Sequence, residues 1–133
     1  MSAPAGGIER IFPKSAPSPR GPYSPAVRAG DFIFVSGQGP IDPVTNKLSL
    51  GDIQYETRLA LGNIRRILAE CGAAMADVVK VGVFLRDASE FDKMNEVYIE
   101  FFGDVRPART TVEAQFHVRE MRVEIDCVAY KPR

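Results

Sequence analysis

The chain has 133 residues, with 17 basic and 17 acidic side chains, one histidine, two cysteines and no tryptophan; 45% of it is hydrophobic and 26% charged. At this length a chain buries roughly two thirds of the surface its unfolded form exposes, enough for one core, so a two-domain organisation is excluded. A formal net charge of zero lacks the long-range attraction of a nucleic-acid or membrane-surface binder, and polyanionic partners are not expected.

The run Phe32-Ile33-Phe34-Val35 is far short of the ~20 apolar residues that span a bilayer. The first seven residues show no basic start leading into an apolar stretch, so a secretory signal is not expected and a cytoplasmic location is. Cys71 and Cys127 fall in different predicted elements, which gives neither a disulfide framework nor a closely spaced metal pair.

Six of the ten prolines, Pro4, Pro13, Pro17, Pro19, Pro22 and Pro25, lie in the first 25 residues. Proline fixes φ and removes a backbone donor, so residues 1–22 are predicted to be an irregular arm of a single domain spanning 1–133. Between Ala26 and Ser36, Gly30-Asp31 separates two short extended runs and predicts an antiparallel hairpin. From Asp52 to Cys71, the residues Leu61, Ile64, Leu68 and Cys71 recur with helical spacing, with Asp52 as cap and Gly72 as stop.

Val78 to Leu85 is apolar at both parities and predicts a central strand covered on both faces. Ser89 and Asp92 suggest a capping box ahead of a second helix through Phe91, Met94, Tyr98 and Phe101, stopped by Gly103. Strands from Arg109 to Phe116 and from Arg122 to Tyr130 follow. In the last, Val123, Ile125, Cys127 and Ala129 alternate with Glu124, Asp126, Val128 and Tyr130. The order β-β-α-β-α-β-β gives an α+β fold, a mixed sheet with two helices on one face. The other face carries apolar residues such as Phe32 and Phe34, which predicts a homo-oligomer that buries it.

Few residues suggest chemistry by themselves. Gly37-Gln38-Gly39 lacks the third glycine and following helix of a dinucleotide fingerprint and reads as a tight turn. Ser36 lacks a nucleophile frame, which leaves a hydrogen-bonding role for its hydroxyl. His117 has no second ligand at metal spacing. Glu124 and Asp126 share a strand face roughly 7 Å apart, and two solvated or ion-paired acids is the plainer reading. Arg109 begins a strand and faces the same side as Thr111 and Glu113, where its guanidinium can grip a carboxylate through two parallel hydrogen bonds.

Taken together, short stretches across nearly the whole chain resemble the Rid/YjgF family, the reactive intermediate deaminases once labelled L-PSP endoribonucleases. They are Gly21-Pro22-Tyr23-Ser24-Pro25-Ala26-Val27; Val35-Ser36-Gly37-Gln38 with Pro40; Thr57, Ala60-Leu61 and Asn63-Ile64; Val83-Phe84-Leu85 with Asp87; Phe91, Asn95 and Tyr98; Pro107-Ala108-Arg109-Thr110; and Val123-Glu124-Ile125-Asp126 with Ala129. The resemblance implies a chorismate-mutase-like homotrimer with active sites between subunits. It further implies hydrolysis of 2-enamine and 2-imine intermediates to 2-oxo acids and ammonia, without a cofactor or metal. By the same resemblance Arg109 binds the substrate carboxylate and Glu124 serves the attacking water. Tyr23, Ser36, Gly37, Asn95 and Thr111 belong to the substrate cleft.

Three departures stand out. Thr111 replaces a cysteine common in the deaminase branch, His117-Val118 replaces a Leu-Pro pair, and Asp126 replaces a second glutamate. They bear on substrate preference more than on fold. Three other readings stay open: a ribonuclease acting on single strands, a non-catalytic module binding a small ligand in the same cleft, and a deaminase of larger, aminomuconate-type enamines. A small 2-imino acid and further copies of the chain are the partners expected.

Overall fold

The computed structural model describes residues 7–133. A six-stranded sheet runs β1 (Ile8–Ile11), β2 (Ala26–Ala29), β3 (Phe32–Gln38), β6 (Val123–Tyr130), β4 (Val78–Leu85), β5 (Ala108–Glu113) across its width. Two helices, α1 (Ile53–Glu70) and α2 (Phe91–Phe102), pack on one side. All neighbouring strands are antiparallel except β4 and β5, which are parallel because α2 carries the chain back between them.

Local chemistry explains the first helix. The Asp52 carboxylate accepts the Tyr55 backbone N–H at 2.8 Å, capping the N-terminus. At the other end Gly72 takes φ +78°, a conformation open to glycine, and the chain leaves the helix. The buried stripe Ala60, Leu61, Ile64, Ile67 and Leu68 meets Ile33 and Val35 of β3 and Val123, Ile125, Cys127 and Ala129 of β6 in one core.

The arm is only partly irregular. Ile8–Ile11 pairs antiparallel with β2, Ile8 opposite Ala29 and Ile11 opposite Ala26. The cluster of prolines starts at Pro13, so these four residues keep their N–H donors and complete the sheet edge. The start of the arm, residues 1–6, lies outside the described residues.

Three further details differ from expectation. Ser89 does not cap α2; its backbone N–H and hydroxyl both donate to Asp87, which opens a short 3-10 turn at Ala88–Glu90 before the helix. β5 ends at Glu113, short of Phe116. β4 is covered on one face only. Val81, Val83 and Leu85 are buried beneath the helices, while Lys80, Gly82 and Phe84 lie on the opposite face.

That opposite face is open across the sheet. Phe32, Phe34, Val112 and Tyr130 lie on it with 42 to 46% of their surface exposed, and the Phe32 and Tyr130 rings sit 5.2 Å apart. An apolar face this broad is unusual on a protein that functions as a monomer.

Candidate active site

The residues singled out from sequence fall into two groups, on opposite faces of the sheet. Arg109 stands opposite Val81 and so points to the helix-covered side; Glu124 stands opposite Phe84 and points to the open side. Strand alternation fixes this separation within one chain.

The first group lies between β5 and α2. Arg109 donates from Nη1 to Asn95 Oδ1 at 2.8 Å, and its guanidinium lies 4.6 Å from the Tyr98 ring centroid and 5.4 Å from that of Phe91. Stacking on two rings fixes the plane of the fork. Among the described residues no other acceptor takes its remaining N–H donors, which border a groove formed with Asn95, Tyr98, Ile99, Phe102, Arg106 and Pro107. Two nearby hydroxyls, Tyr98 Oη and Thr111 Oγ1, are buried without a partner. Burial pushes the Tyr98 phenol upward, and the Arg109 cation beside it partly offsets this. A buried orphan hydroxyl costs free energy until something meets it. This end of the sheet therefore gathers N–H and hydroxyl donors without protein acceptors beside an open groove.

The second group surrounds Glu124 on the open face. Here β3 carries a bulge: Val35 pairs with Cys127, but the next pairing is Gln38 with Ile125, leaving Ser36 and Gly37 opposite a single residue. Glu124 lies directly over Gly37, where an added Cβ would sit 2.5 Å from its Oε2. The absence of a Cβ at position 37 lets the carboxylate keep that close approach; any larger residue would push it aside. Gly82 on β4 does the same for Asp126, and its N–H donates to Asp126 Oδ1 at 3.1 Å. The two acids are thus half-buried over glycines rather than freely solvated. Burial is the main cause raising both carboxyls above their ordinary range. For Glu124 the Asp126 charge adds to the rise and His117 opposes it; for Asp126 the Gly82 N–H and Lys80 oppose it.

Glu124 borders a small cleft of about 70 Å³, open at its mouth, that also includes Tyr23, Gly37, Gln38, His117 and Met121. Its outer wall is the proline-rich arm. Asn46, in a left-handed turn at φ +58°, holds that wall: its Oδ1 accepts the Ser18 N–H at 3.0 Å and its carbonyl accepts Arg20 Nη2 at 2.9 Å. The Tyr23 hydroxyl accepts the Arg20 N–H at 3.2 Å. Ser36 does not border this cleft; its hydroxyl donates to the Ser24 carbonyl at 2.6 Å and ties the arm to the bulge. Sequence reasoning missed Asn46 and the part played by the prolines. An Asn in a polar turn gave no signal beyond its tolerance of the left-handed region.

Comparisons with known proteins agree with this architecture. Residues 13–131 match the family described as Endoribonuclease L-PSP. A RutC family protein of Pyrococcus abyssi is 50% identical over 92% of this chain and 97% of its own length. A 2-iminobutanoate/2-iminopropanoate deaminase of Dermatophagoides farinae is 40% identical over 85% of this chain and 88% of its own. The crystal structure of a Thermotoga maritima protein described as a putative endoribonuclease superposes with a TM-score of 0.86 at 43% identity, covering 94% of this chain and 100% of that one. The fold defines an α+β domain of the Rid type. The chain belongs to the Rid/YjgF family.

Proposed function

We propose that the protein hydrolyses small 2-imino acids, and the 2-enamines that tautomerise to them, to 2-oxo acids and ammonia in a cleft completed by two copies of the chain. The observation that carries this reading is the division of the site: an unsatisfied arginine fork on one face and a glycine-cradled carboxylate on the other. A head-to-tail contact repeated around a closed ring would bring the fork of one copy to the carboxylate of the next, and would bury the open sheet face. The family resemblance favours three copies in that ring.

The chemistry suits these groups. An imine carbon is already electrophilic, so a fixed substrate and a placed water matter more than a strong nucleophile. Arg109 grips the carboxylate in two charge-assisted hydrogen bonds, with Asn95 and the rings of Tyr98 and Phe91 fixing its plane. Glu124 takes one proton from water as the oxygen bonds to the imine carbon and the C=N pair moves to nitrogen. Glu124 returns that proton to the nitrogen, giving the neutral carbinolamine; it then takes the hydroxyl proton as the C=O bond forms and the C–N bond breaks, and passes it to the departing nitrogen, which leaves as ammonia. A carboxyl raised by burial fits this exchange, since its carboxylate is a stronger base than a solvated one and takes up a proton more readily. Tyr23 borders the cleft beside Glu124 and Thr111 follows Arg109 on the same face of β5, which supports a substrate-facing role for both in this reading. Ser36 acts indirectly, by anchoring the arm.

The test is a coupled assay in which an amino-acid oxidase generates imino acids in place and oxo-acid release is followed. Wild type accelerates release and Arg109→Ala does not; equal rates would remove the proposal. The ribonuclease reading has the family description behind it, but the cleft sets Arg20, Tyr23 and His117 singly among prolines and aliphatic side chains, not as the track of interleaved basic and aromatic residues that single-stranded RNA would need.

A further inference from the structure

We propose that Arg122 is a positioning residue for the Arg109 fork, acting through Glu90 and the head of α2. This rests on the reading of Arg109 as the group that grips the substrate carboxylate, and it adds the fixed point against which that fork is set.

Arg122 lies outside both groups of the site, in the β5–β6 connection one residue before β6. Its backbone is held on both sides. The N–H donates at 2.7 Å to Oε1 of Glu56, a carboxylate fully buried on α1, and the carbonyl accepts the Arg86 N–H at 2.9 Å. Glu56 Oε2 in turn accepts the Gly51 N–H at 3.2 Å. From this anchored backbone the guanidinium reaches the entrances of both helices. Nε donates at 3.0 Å to the carbonyl of Gly51, just ahead of the Asp52 cap of α1, and Nη1 donates to Glu90 Oε1 and Oε2 at 3.2 and 3.1 Å.

Glu90 immediately precedes Phe91, the first residue of α2, and its side chain makes no capping hydrogen bond to that helix. Its carboxylate is engaged by Arg122 instead. Phe91, Asn95 and Tyr98 stand on successive turns of α2 and are the groups that hold Arg109, Asn95 through the 2.8 Å hydrogen bond and the two rings at 5.4 and 4.6 Å. A shift of α2 against the sheet therefore moves every support of the fork together. The Arg122–Glu90 pair joins the head of that helix to the start of β6. Its side chains are 32% and 20% exposed, against 50% each for Arg58–Glu100, the ion pair between α1 and α2. The more sheltered pair is screened less and so fixes geometry better than a solvated one. Placement matters here because a displacement of about 1 Å at a substrate-orienting group is costly.

The test compares wild type, Arg122→Met, Glu90→Gln, their double variant and Arg109→Ala. Arg122→Met keeps both backbone contacts and most of the stem and removes the guanidinium. The Nε–H resonance of Arg109, displaced by the Tyr98 and Phe91 rings and assigned by its loss in Arg109→Ala, is followed by NMR. In parallel, KM and kcat are measured with one imino acid. Arg122→Met is expected to move that resonance toward the position of a free arginine and to raise KM about three- to tenfold, with kcat within about twofold of wild type. Glu90→Gln, which should fold even if Arg122→Met does not, is expected to do the same in smaller measure. The double variant should be no worse than Arg122→Met alone, since both changes break one contact. A lowered Tm with an unmoved Arg109 resonance and an unchanged KM would show that the pair serves stability alone, and overturns the inference. If Arg109→Ala keeps the wild-type KM, the reading of the fork as carboxylate clamp fails instead, while the Arg109 resonance still decides whether Arg122 positions it.

Discussion

If the two half-sites belong to neighbouring copies, two inactive variants should rescue each other. Arg109→Ala removes the fork that Asn95, Tyr98 and Phe91 hold in place. A charge-assisted bidentate contact is worth about 1.5–3 kcal/mol, which is roughly 10- to 150-fold in kcat/KM. Glu124→Gln removes the base and should cost on the order of 100-fold or more. In a randomly mixed ring, each cleft takes position 109 from one copy and position 124 from the next. A cleft is intact only where the first is a Glu124→Gln copy and the second an Arg109→Ala copy. About a quarter of the clefts in an equal mixture then carry both functional groups, well above either parent. The two variants are co-expressed with different tags, mixed oligomers are isolated by sequential affinity steps, and oxo-acid release is measured by the coupled assay. Mixed oligomers as inactive as both parents, with exchange confirmed by native mass spectrometry, would refute a shared cleft.

Three further outcomes follow from the geometry. Gly37→Ala places a methyl group 2.5 Å from Glu124 Oε2, and the flexible end of that side chain must swing away; kcat should fall more than about tenfold while thermal unfolding shifts by about 1–2 kcal/mol at most, and an active Gly37→Ala would show that Glu124 need not lie over the bulge. Asp126 has its carboxyl raised on folding mainly by burial, so its ionised form opposes folding at neutral pH, and this cost disappears below the pKa of the unfolded state, where the group is neutral in both states. Asp126→Asn, which keeps an acceptor for the Gly82 N–H, should therefore raise Tm at pH 8 and leave it unchanged near pH 3; the opposite order would contradict the assigned direction. Phe34→Asp puts a charge on the open face, where Phe34 is 46% exposed in the single chain. Losing the burial of that ring costs about 1.5–3 kcal/mol per copy, so light scattering should report monomers with native circular dichroism and no activity. A fully active oligomer would show that this face is not the contact.

Much of the fold could be read from local pattern. The stripe through Leu61, Ile64 and Leu68, the Asp52 cap and the Gly72 stop define α1 without reference to the rest of the chain. The Gly30 turn and the alternation of Val123, Ile125, Cys127 and Ala129 define the hairpin and β6. Such signals are legible because they involve neighbours within one turn or two residues, where backbone geometry dictates which side chains share a face. β1 was missed because four residues in a proline-rich segment have no alternation long enough to register, and only the free edge of β2 makes them a strand. The Ser89 cap was misplaced because Asp87, two residues earlier, offers its carboxylate to the same backbone and hydroxyl.

The candidate site divides in the same way. That Arg109 shares a face with Thr111, and Glu124 with Asp126, follows from strand period alone. That those two pairs lie on opposite faces of one sheet does not. It depends on α2 returning the chain so that β5 lies parallel to β4, with Arg109 beside Val81, and on β6 entering between β3 and β4. The glycines under the two acids, the arm held by Asn46 and the return of His117 toward Glu124 are likewise pairings between distant positions. The amino-acid sequence determined by itself the elements and the side of each strand on which a residue stands, because those depend on backbone geometry over a few residues. Only the tertiary structure decided which sides meet, because strand order and direction are settled by burying the core as a whole.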